Sequence, residues 1–218
     1  MIVVIGQPVL HVAAGEPVAT GSAAAIALTA VARGATVQLV GKVGEDPEGE
    51  AVVLALARGG VGHVALLRDP ARRTPVLVES GGEPAGPDDD PAVSLRVEPA
   101  DASLRPQLDA GDVELGLRYL TEFRVLVTTE PLDTELVRVV GAAAGWSAAT
   151  LVALVPPGAA EPEPAPADAI LLQAPDADTE GAFDRLVGEL AAAIDSGVEP
   201  RRAFRDLVAA GGWEPAEA

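Results

Sequence analysis

Short blocks of valine, isoleucine and leucine alternate along the chain with longer alanine-rich stretches, a pattern that predicts strands interleaved with helices. Residues 2–5, IVVI, end at Gly6 and have the form of a first buried strand, expected at the centre of a sheet. Residues 22–33, SAAAIALTAVAR, read as a helix with Ser22 as N-cap and Gly34 as its stop. No charge occurs in it before Arg33, so burial on most of its sides is expected. A strand over 36–40 follows, then a glycine-punctuated turn at Gly41 and Gly44. Asp46 as N-cap and Pro47 at the first helical position open a helix that runs to Arg58 and stops at Gly59 and Gly60.

Between residues 74 and 97 the period shortens to two. Val76 and Val78, then Val93, Leu95 and Val97, alternate on either side of a GGEPAGPDDDP loop, which predicts a small antiparallel hairpin over about 74–98. The loop over 81–91 reads as an acidic surface turn, not a metal cage, because Asp88, Asp89 and Asp90 lack a folded frame of further ligands. Alternation then resumes with a helix over 112–120, a strand over 124–128, a helix over 133–144 and a strand over 150–155. Five prolines in residues 156–167 exclude an internal helix and favour an extended connection. A last strand over 169–172 precedes two closing helices, about 182–195 and 200–210, and the tail GGWEPAEA is expected to fray.

A length of 218 residues suits one domain spanning 1–218, and βα alternation makes it α/β with a mostly parallel sheet. Apolar residues make up 49% but aromatic ones only 3%, so Ala, Val and Leu must build the core and helices can pack closely on the sheet. A net charge of −18 disfavours nucleic acid and anionic membranes, leaving any phosphate site to backbone amides and a few local cations. The sequence has no cysteine and no basic, then apolar, start, so a soluble cytoplasmic protein is expected. His11 and His63 are far apart and lack ligand-spaced neighbours, which argues against structural zinc.

Chemistry concentrates in two stretches. Residues 20–49, TGSAAAIALTAVARGATVQLVGKVGEDPEG, resemble the first signature of the ribokinase/PfkB family of carbohydrate kinases, G-G-x-x-x-N-x-A followed by V-G-x-V-G-x-D-x-x-G, with Gly34, Gly41, Gly44, Asp46 and Gly49 in place and Thr20 at the leading glycine. Residues 178–184, DTEGAFD, are similar to the family's D-T-x-G-A-G-D motif. The resemblance implies a three-layer α/β/α fold, with the hairpin as a lid through which subunits could pair as a homodimer. It also implies a sugar-like ligand and, in an active enzyme, ATP and Mg²⁺.

The residues that match the family's chemistry are altered. The resemblance makes Asp184 the candidate base and the amides of Gly181, Ala182 and Phe183 the anion hole, where the family's second glycine has become Phe183. It places His11 where the family has an acid that binds substrate hydroxyls, and Ala25 where it has the sugar-binding asparagine; Gly21, Gly41 and Lys42 fall on the substrate side. Asp176, in QAPD, is the remnant of an N-x-x-E motif associated with magnesium, and chain normally lying between it and the last motif is missing. Each residue also has a plainer role. Phe183 can plug the core, Asp184 suits the first turn of any helix, Lys42 can be a solvated turn lysine, His11 a satisfied polar residue near the end of the sheet, and Asp46 with Gly49 can simply shape a turn. Trp146 and Trp213 suggest packing or an interface. Two functions remain open: a catalytically silent relative that binds a ligand or a partner protein, and an ATP-dependent kinase for a sugar or nucleoside hydroxyl.

Overall fold

A computed structural model describes residues 1–13, 15–81, 93–160, 162, 168–176, 178 and 181–211. The loop aspartates Asp88, Asp89 and Asp90, most of the proline-rich connection and Trp213 lie outside the described residues. Strand β1 (Ile2–Ile5) is fully buried and central, pairing in parallel with β4 (Val37–Gly44) on one side and β8 (Val125–Thr128) on the other. With β5 (Gly62–Asp69), β9 (Thr150–Val155) and β10 (Ile170–Gln173) they form a six-stranded parallel sheet in the order β10-β9-β8-β1-β4-β5. Both faces are covered, which explains why the strands read as continuous apolar runs. Ile2 and Val4 face a core shared with helices α1 (Ser22–Ala32), α2 (Pro47–Arg58), α5 (Ala182–Asp195) and α6 (Pro200–Gly211). Val3 and Ile5 face the opposite core, beneath α3 (Ala110–Leu117) and α4 (Thr134–Ser147).

The small second sheet, labelled the lid only after the expected hairpin, is larger than that hairpin. To β6 (Val76–Gly81) and β7 (Val93–Glu98), β2 (Val9–Ala13) and β3 (Glu16–Thr20) are added, giving the order β3-β2-β6-β7. Strands β2 and β3 escaped the sequence reading because Pro17, Gly15 and His11 interrupt their apolar alternation. Two further expectations are corrected. The segment through Gly41 and Gly44 continues strand β4 instead of turning, because a Cβ at Gly41 would lie 2.6 Å from the Gly6 carbonyl oxygen and glycine lets the strand run close beside β1. Ser22 does not cap α1: Gly21, at φ 83°, takes that position and makes no side-chain bond.

Two contacts hold the frame around the sheet's carboxyl end. Helix α5 crosses α1 closely at Gly188, where a Cβ would lie 2.7 Å from Thr29 Cβ and 2.8 Å from the Ile26 carbonyl oxygen. Asp46 caps α2 by accepting from the Gly49 amide (2.8 Å), and also accepts from the Thr74 amide (2.8 Å) and hydroxyl (2.6 Å), tying the α2 start to the entry of the lid. Thr74 Oγ1 in turn accepts from the Gly44 amide at 2.9 Å. Burial works to raise the Asp46 carboxyl from its ordinary value of 3.8, but the hydrogen bonds from Thr74 and Gly49, with the nearby charge of Arg73, bring it below that value.

Gly188→Val is expected to force the two helices apart and lower stability by about 1–3 kcal/mol, read from urea denaturation; an unchanged midpoint would contradict close packing there. Because the folded pKa of Asp46 lies below the unfolded one, its contribution is complete at neutral pH and is lost as pH falls below about 4 through the folded value. Asp46→Ala should cost about 1–2 kcal/mol near pH 7 and then lose less on acidification than the parent. Parallel stability curves against pH would remove Asp46 from the acid response.

Candidate functional site

The order of the parallel sheet reverses beside β1: the chain goes first to β4 and β5, then returns to β8, β9 and β10 on the other side. In open α/β sheets such a reversal leaves a crevice at the carboxyl ends of the strands, and ligands bind there. Four segments meet at this crevice. Gly6, directly after β1, leaves room for two of them, since a Cβ would lie 2.0 Å from Thr129 Oγ1 and 2.9 Å from Ala23 Cβ at the start of α1. The Gln7 amide donates to Glu130 Oε1 at 3.0 Å, and its side-chain Nε2 donates to the Pro106 carbonyl at 2.5 Å. Burial pushes the Glu130 carboxyl above its ordinary range, only partly offset by the Gln7 amide. Gln7 Oε1 and Thr128 Oγ1 are buried without a hydrogen-bond partner among the described residues. Such atoms call for a donor, from water or from a ligand hydroxyl.

Gln7, Thr128 and Glu130 were missed in the sequence. Their only signal is position, since polar residues end or immediately follow two apolar runs, at 5 and at 128, that turn out to be adjacent strands.

At the start of α5 the amides are already occupied. The Asp178 carboxylate accepts from the amides of Ala182 (2.7 Å), Phe183 (3.1 Å) and Asp184 (3.2 Å). Gly181, at φ 63°, turns its own amide to the Asp178 carbonyl at 3.1 Å, so it is not among the donors that face the carboxylate. The Phe183 ring leaves this group and packs in the core, 7% exposed. Asp184 is shifted upward in pKa, first by burial and then by the charge of Asp178, against a lowering hydrogen bond with Ser22. The hydroxyl read as a cap for α1 thus reaches across to α5.

The remaining candidates are dispersed. His11 is not at the end of the main sheet: it sits in lid strand β2 opposite Val18 and Leu77, its Nε2 buried, unbonded and 3.6 Å from Glu79 Oε1. Lys42 is not a solvated turn lysine. It lies in β4, is 17% exposed, and donates to Asp112 Oδ2 at 2.5 Å and to the Gln107 carbonyl at 3.3 Å. Ala25 is half-buried on α1 and brings no polar group to the site, and Asp176 is exposed. No group of three potential metal ligands occurs among the described residues.

No family model matches the sequence, and no curated protein does. Solved structures do. The ribokinase of Arabidopsis thaliana, complexed with ribose and ATP, aligns over 96% of this chain and 90% of its own at 15% identity and a TM-score of 0.63. A PfkB protein from Polaromonas aligns over 94% and 92% respectively, at 13% identity and a TM-score of 0.62. A 2-dehydro-3-deoxygluconokinase from Thermotoga maritima matches 71% of this chain and 50% of its own, at 18% identity and a TM-score of 0.51. With its parallel sheet between two helical layers and a small mixed second sheet, the chain has the ribokinase-like fold of these carbohydrate kinases.

Proposed function

We propose that this protein is a catalytically silent relative of the sugar kinases that binds a small polyhydroxyl ligand in the crevice beside β1. The observation that carries the reading is the Asp178 carboxylate on the amides of Ala182, Phe183 and Asp184. Phosphoryl transfer needs such amides free to hold a migrating phosphoryl group, with cations to balance its charge. Here a fixed anion of the chain fills that position and would repel a second one. Lys42, the single lysine of the sequence, is committed to Asp112. ATP and Mg²⁺ therefore find a poor fit at α5. The crevice retains what a hydroxylic ligand would use: the buried Glu130 carboxyl and the unpaired oxygen of Gln7.

One observation favours the alternative, an ATP-dependent kinase acting on a sugar or nucleoside hydroxyl. The Asp184 carboxyl is half-buried and raised in pKa, as a general base can be. The same shift follows from its burial and then from the charge of Asp178, without any catalytic role.

Calorimetry should show no saturable binding of Mg-ATP to the parent protein, whereas Asp178→Ala, which frees three amides, should gain measurable affinity for inorganic phosphate. Millimolar or tighter Mg-ATP binding by the parent, with turnover on a sugar panel that Asp184→Asn abolishes, would establish the kinase instead. The raised pKa of Asp184 gives an independent check. Its ionisation opposes folding, so the stability it allows is present below the unfolded pKa and is lost as pH rises through the folded value. Asp184→Asn should therefore be more stable than the parent near pH 7, and the difference should vanish in acid; a variant destabilised at neutral pH would contradict the assignment.

A further inference from the structure

Helices α3 and α4 both run back from the carboxyl edge of the sheet and lie side by side, with a cleft of about 740 Å³ between them. Its floor is apolar: Leu120, Phe123 and Val139 are buried, and beside Val139 α4 adds the small side chains of Ala142 and Ala143. Trp146 lines the same cleft yet is 94% exposed. A tryptophan has much apolar surface to bury, and one left almost wholly in water beside an apolar cleft is a side chain awaiting a cover. The volume is of small-molecule size.

The charges of the cleft indicate which small molecule. Arg118 is neutralised by Glu114 at 2.9 Å on the same helix. Arg138 has no ion-pair partner among the described residues, although the chain as a whole carries a net charge of −18. Trp146 lies eight positions after Arg138 on α4, about 12 Å along the helix axis. Glu122, exposed and past the end of α3, also lines the cleft but forms no ion pair with Arg138. From this pairing of a guanidinium without an ion-pair partner among the described residues with an apolar floor and an uncovered indole two turns away, we infer that the α3–α4 cleft binds an organic carboxylate with an extended apolar body. The acid would sit on Arg138 and the apolar end under Trp146. This site is on the opposite face of the sheet from α5 and stands whether or not the reading of the crevice does.

Decanoate is a suitable probe, titrated against the emission of Trp146 in a Trp213→Phe background. Saturable binding is expected, about tenfold weaker in Arg138→Gln, which removes a charge-assisted hydrogen bond, and similarly weaker for decanol. Ala143→Leu, which fills the floor, should abolish it. Absence of saturation, equal affinity of the Arg138→Gln variant, or equal binding of decylammonium would overturn the assignment. So would sedimentation showing a dimer that Trp146→Ala dissociates, since the indole would then be covered by a second copy.

Discussion

A helix begins with amide protons that its own turns cannot satisfy, and at α5 these are met by one carboxylate, Asp178. The interaction is charge-assisted and aligned with the helix dipole, so it fixes the approach to α5 and with it the positions of Phe183 and Asp184. Phe183 can turn into the core because its backbone amide is held by Asp178. Asp184 is left between burial, a neighbouring negative charge and the Ser22 hydroxyl, and its raised pKa follows from that setting. In an anion-binding protein the same amides would face a ligand. Here they face a carboxylate of the chain itself.

The rest of the molecule keeps α5 in register with the crevice. Gly188 lets α5 lie close against α1, and the Ser22 to Asp184 bond joins the starts of the two helices. Gly6 allows α1 and the segment after β8 to converge at the end of β1, and Gly41 lets β4 pass beside it. Small residues thus set the distances, while Asp46 and Thr74 anchor the lid to the α2 start through four hydrogen bonds that also involve Gly44 and Gly49.

Much of this was legible in the sequence because it depends on local rules. The buried run 2–5 and the Asp46 and Pro47 helix start follow from burial pattern and capping chemistry, and they occur where those rules place them. The lid strands β2 and β3 were not legible, since a short strand carrying His11 or Pro17 owes its pairing to a neighbouring strand distant in sequence. The site was harder still. Motif spacing marks Gly181 and Asp184, but no spacing reveals that Asp178 folds back onto the amides, that Lys42 is engaged by Asp112, or that Gln7 meets Glu130 across 123 positions of chain. Those contacts are products of strand order and helix packing.

The central claim is that the anion position at α5 is filled by Asp178, and amide NMR reads it most directly. In the parent protein the resonances of Ala182, Phe183 and Asp184 should remain unmoved on addition of phosphate or Mg-ATP at neutral pH, whereas in Asp178→Ala all three should move on addition of phosphate. Saturable phosphate-induced shifts of those three amides in the parent would contradict the account.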